Sequence, residues 1–77
     1  MNVEEIVVNR FVVIMKLPEH KPDLHASLVD VYGIDSLKAL KLISDVEVEF
    51  DIDIEQDEAR SIKTLSDVIE LIRKKLP

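Results

Sequence analysis

Between Ser36 and Phe50 the chain spaces its apolar residues as a helix does, and it does so on two sides. Set at 100° per residue, Ala39, Leu42, Ile43, Val46 and Phe50 fall on one stripe, while Leu37, Leu40, Ser44 and Val48, with Lys41 among them, fall near the opposite side. The first stripe is a core face. The second is surplus to a core, and exposed apolar residues of that kind often mark a contact site. Residues 45–55 carry a competing signal, because Asp45-Val46-Glu47-Val48-Glu49-Phe50-Asp51-Ile52-Asp53-Ile54-Glu55 alternates strictly, the pattern of a strand. A strand needs a partner, and only residues 11–15 offer one, so the spacing predicts a helix that ends near Phe50.

The remaining apolar residues extend this reading. Val3, Ile6, Val7, Phe11 and Ile14 fit helical spacing over residues 3–17, and Glu4 and Glu5 suit a first turn. Within that segment Phe11-Val12-Val13-Ile14-Met15 also reads as a buried strand; the length of the segment favours a helix. Thr64-Leu65-Ser66-Asp67 has the form of a capping box with Thr64 as N-cap. Leu65, Val68, Ile69, Ile72 and Leu76 follow at helical spacing, and Arg73, Lys74 and Lys75 complement the dipole of the last turn. A short helical turn is expected over residues 57–62. Pro18-Glu19-His20-Lys21-Pro22-Asp23 opens a long loop between the first two helices. The expected fold class is all-α, with three longer helices and one short one.

At 77 residues the chain is read as one domain over 1–77, with a single core. Domains of this size bury about 60 % of their unfolded surface, and a two-domain enzyme does not fit. Without cysteine there is no disulfide, thiolate metal site or catalytic thiol. Sixteen acidic against ten basic residues, a net charge of −6, disfavours nucleic acid as a partner and suits docking on basic protein surfaces. The start, Met1-Asn2-Val3-Glu4-Glu5, lacks the positive region of a secretory signal. No apolar run approaches the ~20 residues of a membrane span. A cytoplasmic protein without a membrane partner is expected.

No His-Glu-x-x-His motif or glycine-rich phosphate loop is present. His20 and His25 lie in the loop without a third ligand at fixed spacing, so they read as solvated and no metal site is expected. Ser36, His25 and Asp35 can be written as a triad, but no oxyanion device or cleft accompanies them, and no catalytic residue is expected. Asp51-x-Asp53-x-Glu55-x-Asp57 resembles a calcium loop, yet Gln56 stands where its turn needs glycine and Ile62 where a bidentate glutamate belongs. The informative stretch is Gly33-Ile34-Asp35-Ser36-Leu37. Glycine permits a tight approach to a helix start, and Asp35 is a good N-cap. Ser36 then sits on the first turn with its hydroxyl outside the bundle. An ordinary capped helix satisfies this pattern. So does a modified serine, because a phosphate ester on Ser36 would lie at the positive end of the helix, with Leu37 exposed beside it as an apolar handle for a modifying enzyme.

Over nearly its whole length the sequence resembles the acyl carrier protein family. The matching residues are Gly33, Asp35, Ser36 and Leu37, then Leu42, Glu47, Glu49 and Phe50, then Asp51-Ile52-Asp53-Ile54, Glu58-Ala59 and Ile62-Lys63-Thr64. The resemblance implies a four-helix bundle that is a carrier, not an enzyme. It implies that Ser36, flanked by Asp35 and Leu37, receives 4′-phosphopantetheine from coenzyme A through a phosphopantetheinyl transferase. The prosthetic thiol then holds acyl groups as thioesters for fatty-acid, lipid or polyketide-type biosynthesis, and the cofactor supplies the reactive group that the chain lacks. By position, Leu42, Val46, Ile54, Ala59, Ile62 and Val68 would line the space an acyl chain enters; as plain residues they are also simply core. The expected partners are the transferase and acyl-transferring or chain-modifying synthase enzymes, met by a monomer.

The sequence departs from the family in ways that bear on those partners. Lys38 and Lys41 stand at two positions where members usually carry acids on the helix after the serine, and Val48 replaces another acid. Asp35-Ser36-Leu37-Lys38-Ala39-Leu40 is also similar to the peptidyl and aminoacyl carrier subgroup, which usually has glycine where Ile34 stands. A peptidyl or aminoacyl carrier is therefore the alternative reading, and a small helical interaction domain without cofactor is a third. Leu37, Lys38, Leu40, Lys41, Glu47 and Val48 are the candidate docking residues for a specialised partner. Acidity is concentrated in residues 45–58, which hold eight acids and no base. Self-repulsion there is expected to loosen the fold at low salt and to be relieved by divalent cations.

Overall fold

The computed structural model describes residues 2–18 and 21–77, so His20 lies outside the described residues. Among the described residues the chain forms four helices and no strand: α1 (Val3–Met15), α2 (Ser36–Phe50), α3 (Gln56–Ser61) and α4 (Leu65–Lys75). The all-α expectation of three longer helices and one short one holds. α1 packs against both α2 and α4. The core joins Val3, Val7, Phe11 and Ile14 of α1 to Leu42, Val46 and Phe50 of α2 and to Leu65, Val68, Ile69 and Ile72 of α4. No described helix is long and apolar enough to cross a membrane.

Caps set the ends of these helices. The Asn2 carboxamide accepts the Glu5 N–H at 3.0 Å to start α1. Thr64 Oγ1 accepts the Asp67 N–H at 3.1 Å, and Asp67 Oδ2 accepts the Thr64 N–H at 3.1 Å, which completes the capping box of α4. α1 and α2 both end in left-handed residues, Lys16 (φ 54°) and Asp51 (φ 53°). That conformation reverses the chain and stops a helix.

The left-handed Asp51 also resolves the alternating segment. Up to Phe50 the period is helical: Val46 and Phe50 are buried while Val48, which a strand would place beside them, is 84 % exposed. Beyond Asp51 the helix has ended and exposure alternates residue by residue, so the period of two is real. Ile52 and Ile54 pack against the core, and Asp53 and Glu55 face solvent. One sequence pattern thus spans two structures. The β-branched run of α1, by contrast, is helical throughout, with Phe11, Val12 and Ile14 buried and Val13 73 % exposed.

The long α1–α2 connection is folded onto the bundle by backbone bonds. The Leu28 N–H donates to the Lys63 carbonyl at 3.0 Å, and the Ser66 N–H donates to the Leu24 carbonyl at 2.9 Å. Leu28 is buried in the core. Tyr32 sets its ring edge-on to Phe11 (centroids 5.1 Å apart, planes at 80°) and accepts the Asp23 N–H on its hydroxyl at 2.7 Å. This connection carries the chain to the start of α2.

Ion pairs hold the rim. Arg10 of α1 meets Glu49 of α2 at 2.7 Å, and Lys75 of α4 meets Glu58 of α3 at 2.9 Å. The Glu55 N–H and the Lys75 ammonium both donate to Glu58 and hold its carboxyl below the ordinary range, while the bond to Glu58 raises Lys75. These pairs use only part of the acidity of residues 45–58. No group of three or more acids or histidines among the described residues is placed to hold a metal ion. The expected relief of repulsion by cations is one of screening. The melting temperature is expected to rise when sodium chloride increases from 10 to about 150 mM, and with millimolar magnesium. Melts that ignore both salts would show that the acids are already balanced.

Candidate functional site

Ser36 is the first residue of α2, and three features of the preceding chain put it there. Gly33 takes a left-handed turn (φ +66°), and a side-chain carbon at that position would meet nothing within 4 Å. The glycine therefore serves the backbone angle and not clearance. Its N–H donates to the Val29 carbonyl and that of Ile34 to the Leu28 carbonyl, both at 3.0 Å. Asp35 follows in extended conformation, and its Oδ1 accepts the Lys38 N–H at 2.8 Å as the N-cap of α2.

Five serines occur in the chain, and their surroundings differ. Ser27 Oγ accepts the Asp30 N–H at 3.0 Å, and Ser61 Oγ donates to the Glu58 carbonyl at 2.7 Å. Ser66 is half-buried, and Ser44 is exposed in the middle of α2. Ser36 alone among them joins an exposed side chain to the first position of an α-helix. The amides of a first helical turn lack intrahelical acceptors, and the dipole makes that end positive. Exposed Lys38 adds a cation in the same turn. This end of α2 fits a phosphate diester on Ser36. Loss of the Asp35 cap should fray that end: Asp35→Ala is expected to cost about 1 kcal/mol, seen as a lower melting temperature. Asp35→Asn, which keeps a capping oxygen, should retain most of it, and equal melts for wild type and D35A would contradict the role.

A cavity of about 340 Å³ opens between the long connection, α2, α3 and α4, lined mostly by apolar side chains with Ser27, Asp30 and Lys63 among them. Of the six residues expected to line such a space, Leu42, Ala59, Ile62 and Val68 do so. Val46 and Ile54 do not. Val46 is sealed in the core at 0 % exposure, and Ile54 packs against the core from the α2–α3 turn. Their places are taken by Ile34, Ala39 and Ile43, together with Leu28 and Val29 of the long connection. Ile34 and Ala39 bracket Ser36 in sequence, so the cavity reaches the segment that presents the hydroxyl. Ala39 and Ile43 belong to the helical stripe that reads as core, and they are half-buried because part of that stripe faces this space. A larger depression of about 560 Å³ between α3 and α4 is rimmed by Asp67, Glu70, Arg73 and Lys74 and includes no residue of α2.

The candidate docking residues divide. Leu37, Lys38, Leu40, Lys41 and Val48 are exposed on α2. Glu47 is half-buried, and its Oε2 accepts the Ile54 N–H at 2.9 Å, so it braces the α2–α3 turn. His25 is exposed and its N–H donates to Asp23 Oδ1 at 2.9 Å, with no hydrogen bond to Asp35 or Ser36 among the described residues.

Comparisons with known proteins bear on this arrangement. The family model described as "Phosphopantetheine attachment site" matches residues 5–72. An acyl carrier protein of Desulforapulum autotrophicum is 54 % identical over 50 residues, which is 65 % of each chain and so just under two thirds of the relative. An acyl carrier protein of Buchnera aphidicola is 36 % identical over 74 residues, 96 % of this chain and 92 % of the relative. Among solved structures, a Mycobacterium tuberculosis protein assigned as an acyl carrier superposes with a TM-score of 0.89 at 34 % identity, covering 95 % of this chain and 97 % of that one. Near-complete coverage in sequence and in fold, on a chain that offers one exposed serine at a helix start, places this protein in the acyl carrier protein family.

Proposed function

We propose that Ser36 is the residue to which 4′-phosphopantetheine is attached and that the chain carries acyl groups of fatty-acid, lipid or polyketide-type biosynthesis between synthase enzymes. The observation that carries this reading is the exposed Ser36 at the first position of α2, capped by Asp35. Attachment by a transferase replaces the hydroxyl proton with a phosphodiester as the pyrophosphate bond of coenzyme A breaks and adenosine 3′,5′-bisphosphate leaves. When bound, the group supplies a thiol that holds an acyl chain as a thioester.

This chain's own residues do the rest. Asp35 fixes the helix start, the first-turn amides and Lys38 favour the phosphate, and exposed Leu37 (79 %) gives an enzyme an apolar grip beside the serine. Leu42, Ala59, Ile62 and Val68 wall the space proposed to shelter an acyl chain, and the Glu58–Lys75 pair ties α3, which carries Ala59, to α4. The relatives reported above are acyl carrier proteins, which favours the acyl over the peptidyl reading. Incubation with coenzyme A and a phosphopantetheinyl transferase, followed by intact-mass measurement, should add one phosphopantetheinyl group. An unchanged mass with a control carrier fully converted would overturn the proposal.

A further inference from the structure

Beyond its N-cap, Asp35, the charges of α2 run against its own dipole. Glu4 and Glu5 stand in the first turn of α1, Asp57 and Glu58 in that of α3 and Asp67 in that of α4, where carboxylates stabilise a helix. α2 has no acid in its first turn and no base in its last. Lys38 occupies its third position, and Glu47 and Glu49 lie near its end. In a chain of net charge −6, the first two turns of α2 past the Asp35 cap thus carry only cations, Lys38 and Lys41, and Lys38 in the first turn opposes the helix dipole. Lys41 does little to neutralise itself within the chain: its ammonium is 3.9 Å from Asp45 Oδ1, and its side chain is 66 % exposed. Around these two cations stand Leu37 and Leu40, at 79 % and 63 % exposure. Apolar side chains that nothing in the fold covers, flanked by exposed cations of which Lys38 opposes the helix dipole, are the features of a contact face.

We infer that the first two turns of α2 dock a partner protein whose surface offers an apolar depression rimmed by carboxylates. Complementarity selects this partner, because Lys38 and Lys41 would repel a rim of lysine and arginine and attract one of aspartate and glutamate. The inference rests on Ser36 as the attachment point, since a partner acting on the attached group must approach this end of α2.

The test uses the phosphopantetheinylated chain and two purified carrier-dependent acyltransferases, one with an Asp/Glu-lined carrier groove and one with a Lys/Arg-lined groove. Wild type should be loaded with the lower KM by the acidic-groove enzyme, with KM rising as salt increases. K38E/K41E should raise that KM about tenfold and lower the KM for the basic-groove enzyme. K38E alone should melt a few degrees higher than wild type, because it gives α2 an acid in its first turn. A wild type that prefers the basic groove, or a double variant with both KM values unchanged, overturns the inference while leaving the carrier reading intact. Failure of the wild-type chain to acquire the phosphopantetheinyl group sinks the carrier reading, and this inference with it.

Discussion

Ser36→Ala should abolish uptake of the phosphopantetheinyl group, leaving the intact mass unchanged after prolonged exposure to transferase and coenzyme A. The loss is complete and not graded, because the substitution deletes the oxygen that forms the phosphodiester. The fold should be spared: Ser36 is exposed, and the cap of α2 belongs to Asp35, whose Oδ1 accepts the Lys38 N–H. S36A should therefore melt within a few degrees of wild type. A variant that still takes up the group would move the attachment to another serine. The chain offers few substitutes, since Ser27 and Ser61 are engaged with backbone groups and Ser66 is half-buried.

Phe11→Ala should produce the largest loss of stability of any truncation to alanine in α1. Phe11 is fully buried at the centre of the core, and its ring meets the Tyr32 ring at 5.1 Å. Truncating a buried phenylalanine costs about 3–5 kcal/mol. A chain of this size is expected to have a total stability of about 4–12 kcal/mol, so F11A would be largely unfolded in mild urea. Because Tyr32 anchors the long connection that leads to Gly33 and Asp35, the same substitution should slow modification at Ser36. Urea unfolding followed by circular dichroism measures the first effect, and a cost below 1 kcal/mol would show that the α1 interface does not organise the bundle as described.

What could be read in the sequence was what local chemistry determines. Asp35 and Thr64 cap the helices they were expected to cap, because a short polar side chain before a periodic apolar run leaves the backbone little alternative. The surplus stripe of α2 was equally visible, since exposure of Leu37, Leu40 and Val48 follows from helical geometry once Leu42, Val46 and Phe50 face the core. The serine was legible as a candidate from its place after the cap, and the family resemblance gave that place a meaning.

Other features depend on contacts distant in sequence. The long connection is shaped by bonds from Leu28 to Lys63 and from Ser66 to Leu24, and no local pattern announces them. The cavity is the clearest case. Val46 and Ile43 lie on the same apolar stripe, yet one is sealed in the core and the other lines an open space, and the difference is made by where α3 and the connection settle. Glu47 reads as a surface acid until the left-handed Asp51 folds the chain back and brings the Ile54 N–H to its carboxylate.

Tandem mass spectrometry of the transferase-treated wild-type chain tests the central claim most directly. The added group should be found wholly on the peptide that contains Ser36, and within it on that residue. Its appearance on Ser27, Ser44, Ser61 or Ser66, or on no residue at all, would contradict the assignment of the α2 entrance as the attachment site.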